Sequence, residues 1–208
     1  MISTGKPTAM AISFKYNKSS WFELRMQLGI REKALPTLKS KEAALRVEVI
    51  RTKAKALEFE QELKRRIADA EDLARLWVEF EEGLVKIKFA SYQTRTIAGV
   101  RIPVLDKLEF ELADISLFHK PDWFLDGIQI LKELTRLSLM HEVANRATQT
   151  LEYARKKTTQ KVNLYEKVQI PEYQEAIRKI KRFLEDEENL GKAAQKILKR
   201  RNLENASV

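Results

Sequence analysis

The chain has 208 residues, with 39 Lys and Arg against 30 Asp and Glu, and a net charge of +9. Its six Gly, its five Pro and its many Ala, Leu, Glu, Lys and Arg residues are typical of long helices, which argues against a sandwich or α/β fold. The absence of Cys excludes disulfides, thiol chemistry and zinc ribbons, and no apolar run approaches the roughly 18 residues that a membrane-spanning helix needs.

The first long segment follows residues 1–16, which we expect to form a flexible N-terminal extension. Residues 17–89 are predicted to form one helix, because apolar residues recur there at heptad spacing, as in a coiled coil. At 1.5 Å per residue this helix would be about 100 Å long. The predicted seam includes Leu24, Leu28, Leu35, Leu38, Leu45, Val49, Ala56, Phe59, Leu63, Ala70, Leu73, Trp77, Phe80, Leu84 and Ile87.

Two further features of this segment bear on the helix. Pro36 removes a backbone hydrogen bond, so either the helix kinks near Ala34 or a separate helix ends before Pro36; the unchanged seam register favours a kink. Acidic residues stand four positions before basic ones, the favourable order for helical ion pairs. These pairs are Glu60/Lys64, Glu62/Arg66, Glu71/Arg75 and Glu82/Lys86.

Residues 90–122 are predicted to form a connector with a small β-hairpin. Apolar residues alternate with polar ones over 100–104 and again over 108–112, and Asp106-Lys107 is the predicted turn between them. Pro103 cannot donate to a sheet ladder, which indicates an exposed edge. Residues 115–123 are predicted to add a short helix or turn.

The second long helix is predicted over residues 123–202, with Asp122 as its N-cap and residues 203–208 as a tail. Its seam is clearest at Ile177, Ile180 and Leu184, and Pro171 predicts a bend near residues 169–170. Antiparallel pairing of the two helices within one chain is the simplest way to bury both seams. The predicted fold is therefore all-α, a helical hairpin that forms a long two-helix coiled coil with a β-hairpin connector.

The charged and titratable residues show no catalytic pattern. Basic and acidic residues are interleaved along both helices, which favours a solvated surface over an acidic partner surface, and either over nucleic-acid binding. Two basic clusters stand out: Arg155, Lys156 and Lys157 with Lys161, and Lys196 with Lys199, Arg200 and Arg201. The two histidines, His119 and His141, are not at metal-ligand spacing. We expect no active site, metal or cofactor.

Three motifs, in this order, resemble those of the D subunit of the V-type and A-type rotary ATPases. The first lies in residues 35–45 and includes Leu38, Lys39 and Lys41. The second is the connector sequence Gly99-Val100-Arg101-Ile102-Pro103. The third comprises Lys161-Val162-Asn163-Leu164 followed by Ile170-Pro171. The chain departs from the family pattern at three places. Lys41-Glu42 replaces the family's Lys-Arg-Asp, Pro36 lies where the family has an unbroken helix, and Tyr165 replaces a small residue.

The resemblance implies a non-catalytic central rotor shaft, cytoplasmic and peripheral to the membrane. Its expected partners are the hexamer of A and B subunits, the F subunit, and the C or d subunit on the membrane ring. The γ subunit of F-type ATP synthases has a larger domain between its helices, and the flagellar export stalk protein needs no segment like Gly99–Pro103. A basic coiled-coil module for nucleic acid or an anionic surface stays open as an alternative, which a salt-dependent gel shift would test.

Overall fold

The computed structural model describes residues 12–71, 83–113, 120–121 and 123–206. Helix α1 spans Lys18–Glu71, strand β1 Val85–Ile97 and strand β2 Val100–Leu112. Helix α2 spans Trp123–Leu164, a π-helical turn follows at Tyr165–Gln169, and helix α3 spans Ile170–Ala206. The described residues are mostly helical, with one two-stranded antiparallel sheet in the connector, as the sequence predicts. None of the described helices is long and apolar enough to cross a membrane.

The chain divides into two compact units, one made of the described parts of Met1–Ser40 and Thr159–Val208 and the other of those of Lys41–Thr158. In the first unit, Leu24 packs against Ala176 and Ile180. In the second, Leu45 packs against Ala147 and Leu151. Arg31 contacts Gln169 in the first unit and Arg66 contacts Glu133 in the second, so in each unit the contacts move back along the second segment as α1 advances. The paired segments are therefore antiparallel, as predicted.

The predicted seam of α1 faces the interior of each unit. Leu24, Leu45, Ala56 and Ala70 are buried, and the seam positions between them are half-buried except Arg66, which is exposed. Arg66 instead contacts Glu133 of α2, with 3.6 Å between Nη1 and Oε2. Burial of the apolar side chains is the main stabilising contribution here, since a fully buried leucine contributes about 1.5–3 kcal/mol.

Helix α1 is capped at its N-terminus and runs without a break past its proline. The side-chain Oδ1 of Asn17 accepts a hydrogen bond from the Ser20 backbone N–H at 2.7 Å. The helix continues through Pro36, in agreement with one continuous helix and against a separate helix before Pro36.

Two of the ion pairs predicted on α1 are present. Lys64 Nζ lies 2.7 Å from Glu60 Oε1, and Arg66 Nε lies 3.2 Å from Glu62 Oε1. The hydrogen bond from Lys64 lowers the pKa of Glu60. Both pairs are solvent-exposed, so they support the helix only weakly.

The predicted boundaries of the first helix and of the tails need correction. The sequence predicts that the helix reaches residue 89, but β1 begins at Val85, after Gly83 with φ +82°. The β-branched and aromatic residues of 85–97 gain a ladder with β2, which outweighs their heptad spacing. At the N-terminus, Ile12 and Phe14 pack against the Leu24 cluster, so residues 12–16 are not a free extension. At the other end, α3 continues through Ala206, beyond residue 202.

The hairpin exists, but its turn is not at Asp106-Lys107. The strands pair from Ile97↔Val100 to Val85↔Leu112, so Ala98 and Gly99 form the two-residue turn. Both have positive φ, +48° and +77°, as a type I′ turn requires. Asp106 lies instead at a register shift, where the Lys107 backbone N–H donates to Ser91 Oγ at 3.1 Å. The turn-like Asp-Lys pair therefore marks a bulge within a strand and not a chain reversal.

Substituting Gly99 tests this turn. The φ of +77° is strained for any side chain, although a Cβ at this position would meet only Lys41 Nζ, at an ordinary 3.5 Å. We expect Gly99→Val to lower the free energy of unfolding by about 1–3 kcal/mol, measured by urea denaturation. The matched control is Ala98→Gly, which relieves strain at the neighbouring positive φ and should leave stability equal or raised. Equal stability of Gly99→Val and the unsubstituted chain would contradict the turn.

Several expectations fall outside the described residues. They are Asp122 as an N-cap, His119, Trp77, most of the short element predicted over residues 115–123, and the seam positions in 72–82. The predicted ion pairs Glu71/Arg75 and Glu82/Lys86 also fall outside, because Arg75 and Glu82 lie within residues 72–82.

Candidate interaction surfaces

The first and third motifs meet in the unit that contains both ends of the described chain. Lys39 Nζ lies 2.6 Å from Glu166 Oε1, the acidic residue of the π-helical turn. Both side chains are about half exposed, so solvent screening limits this ion pair to about 0–1 kcal/mol. The pair joins α1 to the segment around residue 166 in a defined register. Leu38 beside it is half-buried in the seam.

Arg31 is the main polar contact between these two segments. Its Nε donates to Gln169 Oε1 at 2.7 Å, and its Nη1 donates to the backbone and side-chain oxygens of Gln27 at 2.9 and 2.8 Å. The guanidinium also lies 4.5 Å from the ring centroid of Tyr173 and 5.9 Å from that of Tyr165. Tyr165, a departure from the family motif, therefore has a defined partner in this chain.

The π-helical turn explains the irregularity predicted near residues 169–170. The Ile170 backbone N–H donates to Tyr165 O, five residues back, so one extra residue enters the helix directly before Pro171. Proline lacks a backbone N–H, and a widened turn before it removes the clash with the preceding carbonyl. Around the turn, Ile170 is half-buried and Pro171 exposed. The sequence predicted the position, but not the π-helical form.

Removing the Arg31 side chain should destabilise this unit. Arg31→Ala loses a charged hydrogen bond to Gln169 and two cation–π contacts, for which we expect a loss of about 1.5–3 kcal/mol in a urea titration. Arg31→Lys keeps the charge but not the fork of donors, so its stability should lie between that of the unsubstituted chain and that of Arg31→Ala. The matched control is Arg182→Ala at an exposed position of α3, expected within about 0.5 kcal/mol of the unsubstituted chain. Equal losses in both alanine variants would refute the role of Arg31.

The first and second motifs meet in the other unit. The ammonium of Lys41 lies over the hairpin turn, 3.5 Å from where a Cβ on Gly99 would stand. Val100 packs against the buried cluster of Leu45, Ile102, Ala147 and Leu151, together with Ile97 and Ala98. The hairpin tip is thus held on the helices by apolar contact. Glycine adopts the positive φ of this turn without strain, which gives the Gly-Val pair of the motif a physical role.

A groove of about 250 Å³ lies beside the hairpin in the same unit. Pro103, half-buried and paired with Thr94, contributes to its wall. The lining combines apolar side chains with three cations and one acidic residue, Glu48. It includes Phe59, Ile97, Ile102, Met140 and Val143, with Arg51, Lys55 and Arg95 among the charged residues. Such a lining offers apolar contact and positive charge, which suits packing against another chain.

The basic cluster predicted from the sequence is not neutralised within the described part of the chain. Arg155 is half-buried and Lys156 and Lys157 are exposed, and no ion pair to an acidic side chain forms at any of the three among the described residues. Lys157 Nζ lies 4.5 Å from the centroid of the Tyr153 ring. Lys161 Nζ lies 5.8 Å from the centroid of the Tyr165 ring. These cations are available to an acidic partner.

The remaining motif residues and the histidine contribute less. Val162 is half-buried, Asn163 is exposed and Leu164 is 44% exposed. His141 is half-buried, and its Nε2 lies 2.9 Å from Asn145 Nδ2. Within the described residues, no group of three or more His, Cys, Asp or Glu is placed to hold a metal ion. Sequence reasoning missed Arg31, because an arginine at a seam position interrupts the apolar pattern.

Comparison with known proteins gives a consistent result over nearly the whole chain. The family model for the ATP synthase D subunit matches residues 20–200. The D subunit of the V-type ATP synthase of Borreliella burgdorferi is 31% identical over 189 residues, which cover 89% of this chain and 93% of that protein. Its counterpart of the same name in Chlamydia pneumoniae is 31% identical over 182 residues, with 85% and 87% covered. That of Chlamydia muridarum is 29% identical, with 85% and 90% covered.

Proposed function

The chain belongs to the family of ATP synthase D subunits, and we propose that within a V-type rotary ATPase it is the central rotor shaft. In this role it transmits torque between the catalytic A and B subunits and the membrane ring, and it is itself non-catalytic. The observation that carries the proposal is the family match over residues 20–200, which includes both long helical segments and the hairpin between them.

The packing of the helical segments supports the proposed role of a shaft that carries torque. Within each unit the helical segments are joined by buried apolar side chains and by specific polar contacts. Arg31–Gln169 and Lys39–Glu166 join them in one unit, and Arg66–Glu133 joins them in the other. Within a unit, sliding one helical segment past its neighbour would break the contacts that join them, so the two segments resist relative displacement. A shaft needs this property, because torque is lost if its helices slip.

The exposed side chains also support the proposed role, because they suit a subunit that is surrounded by other chains. Exposed apolar side chains are numerous on the helices, including Phe22, Met26 and Ile30 on α1 and Leu190 and Ile197 on α3. Exposed apolar side chains in this density mark interaction surfaces. The cationic cluster at residues 155–157 adds positive charge that an acidic lining would complement. We propose as partners the A and B subunits, the F subunit and the C or d subunit, with the chain on the cytoplasmic side of the membrane.

Purification of the tagged full-length chain from its own cells tests the proposal. Proteins that co-purify are identified by mass spectrometry, and ATP hydrolysis of the purified material is measured. We expect the P-loop-containing catalytic subunits and a small F-like subunit in stoichiometric amounts, with ATPase activity. Recovery of nucleic acid or unrelated proteins, without ATPase subunits, would overturn the proposal in favour of a basic coiled-coil interaction module.

A further inference from the structure

Helix α1 carries a second apolar stripe, formed by Ala43, Val47, Ile50, Ala54 and Leu57. All five residues are exposed, and the three large ones are exposed by 62%, 65% and 52% in chain order. The intervals between them alternate between four and three residues, which is the heptad spacing of a coiled-coil seam. We propose that this second stripe is the docking seam for an amphipathic helix of a partner subunit. That partner helix has an apolar seam of its own, with acidic residues beside it.

The position of the second stripe on α1 keeps it away from the rest of the unit. Leu45 is fully buried against Ala147 and Leu151 of α2. Successive residues of an α-helix are separated by about 100°, so Val47 and Ala54 lie nearly opposite the Leu45 side. The α1 residues that line the groove beside the hairpin are Glu48, Arg51, Thr52, Lys55 and Phe59. None of them belongs to the second stripe, and Arg51 lies at the border between the two surfaces. The second stripe is therefore a separate surface.

The length of the second stripe fits one helix. Residues 43–57 extend over about 21 Å at 1.5 Å per residue, or two heptads. Isolated surface leucines and valines are ordinary, but five apolar positions in one unbroken heptad register are not a scattered set. A sheet edge or an irregular loop would not match this register. A second helix does, since its side chains fit between those of the stripe.

Charge beside the second stripe selects the partner. Arg46, Arg51 and Lys53 flank its centre, and Glu58 stands beside its C-terminal end. Arg46 and Arg51 contact Glu42 and Glu48 of the same helix, at 3.1 and 3.8 Å, while Lys53 has no ion pair to an acidic side chain in the described part of the chain. Lys53 is therefore the cation that favours Glu or Asp at the facing position of the partner helix, as in paired coiled coils.

The same charges disfavour a second copy of this chain as the occupant. The three cations lie within four residues of Ile50 on either side. Two copies paired through this stripe, parallel or antiparallel, would therefore bring basic residues against basic residues. Like charges placed together across an interface weaken it. A different, acidic chain is the complementary partner.

The inference rests on the proposed function, because that function defines the complex in which the partner helix occurs. Site-specific cross-linking tests whether the second stripe contacts such a helix. A photoreactive phenylalanine derivative is placed at Ile50 of the tagged full-length chain, and at the exposed Gln149 of α2 as a control. Both are irradiated in the cell. We expect a cross-link from Ile50 to a segment of another subunit with an apolar heptad seam and flanking acidic residues. A cross-link to a second copy or to any other segment, or a yield no higher than from Gln149, would overturn the inference.

Charge reversal provides a second readout in the same cells. Lys53→Glu, combined with the photoreactive residue at Ile50, should lower the cross-link yield at least about fivefold, because it removes one attraction and adds one repulsion. Lys88→Glu on the hairpin is the matched control and should leave the yield unchanged. Equal yields in both variants would refute the acidic partner. If the ATPase subunits co-purify while the cross-link fails, the inference is wrong and the proposed function is unaffected.

Discussion

Replacing Leu151 by Ala lowers the free energy of unfolding by about 2–5 kcal/mol. Leu151 is fully buried and belongs to the cluster that joins α1, the hairpin and α2 in one unit. The smaller side chain leaves a cavity, and its neighbours lose apolar contact that rearrangement only partly restores. Chemical denaturation followed by circular dichroism measures the change.

A second leucine provides the matched control for this prediction. Leu190 of α3 is 71% exposed, so Leu190→Ala makes the same chemical change where little contact is lost. We expect a difference within about 0.5 kcal/mol. Losses of similar size at both positions would mean that the buried cluster is not what holds the unit together.

Neutralising Arg155, Lys156 and Lys157 together, as Gln, lowers ATP turnover of the assembled complex at least about fivefold when turnover is coupled to ion transport. The structure leaves all three without an acidic partner in the described part of the chain, so their charge is free to act on neighbouring subunits. Each such contact contributes about 0.3–1 kcal/mol, and three together amount to about 1–3 kcal/mol. The measurement is ATP hydrolysis by the reconstituted complex, with and without an ion gradient.

Three other cations provide the control for this triple substitution. Lys64, Arg65 and Arg146 form ion pairs within their own helices, with Glu60, Glu62 and Glu142 respectively. Their neutralisation as Gln removes the same charge from the chain, but little that a partner would use. We expect nearly unchanged turnover. A fall of equal size in both triple variants would show that total charge, and not the cluster at 155–157, determines the effect.

The heptad pattern was sufficient to predict the pairing of the helices, because burial of one face is a property of the sequence itself. Leu24, Leu45 and Ala56 are buried where the seam predicts. The second stripe could not be identified in the same way, since its residues resemble ordinary surface positions until the first seam is assigned. The Gly99 motif was identified by resemblance, and the structure gives its physical reason in the positive φ of the turn.

Errors occurred where local and tertiary preferences conflict. Residues 85–89 continue the heptad spacing, yet they form a strand that pairs with β2. Their partners, residues 109–112, lie at least 20 positions later, so the spacing within residues 85–89 does not reveal this pairing. Asp106-Lys107 has turn-like composition but lies in a bulge. Arg31 breaks the apolar pattern and still occupies the seam, since Gln169 and two tyrosine rings accommodate its charge. Such contacts require coordinates, because neither partner is marked in the sequence.

Rotation of the chain within the assembled complex tests the central proposal most directly. The chain has no Cys, so Arg101→Cys, at an exposed position of β2, provides a unique attachment point for a bead. With the catalytic subunits fixed to a surface, ATP should drive the bead in one direction, in steps of about one third of a turn for three equivalent catalytic interfaces. ATP hydrolysis with the bead fixed, or moving only by diffusion, would contradict the rotor shaft.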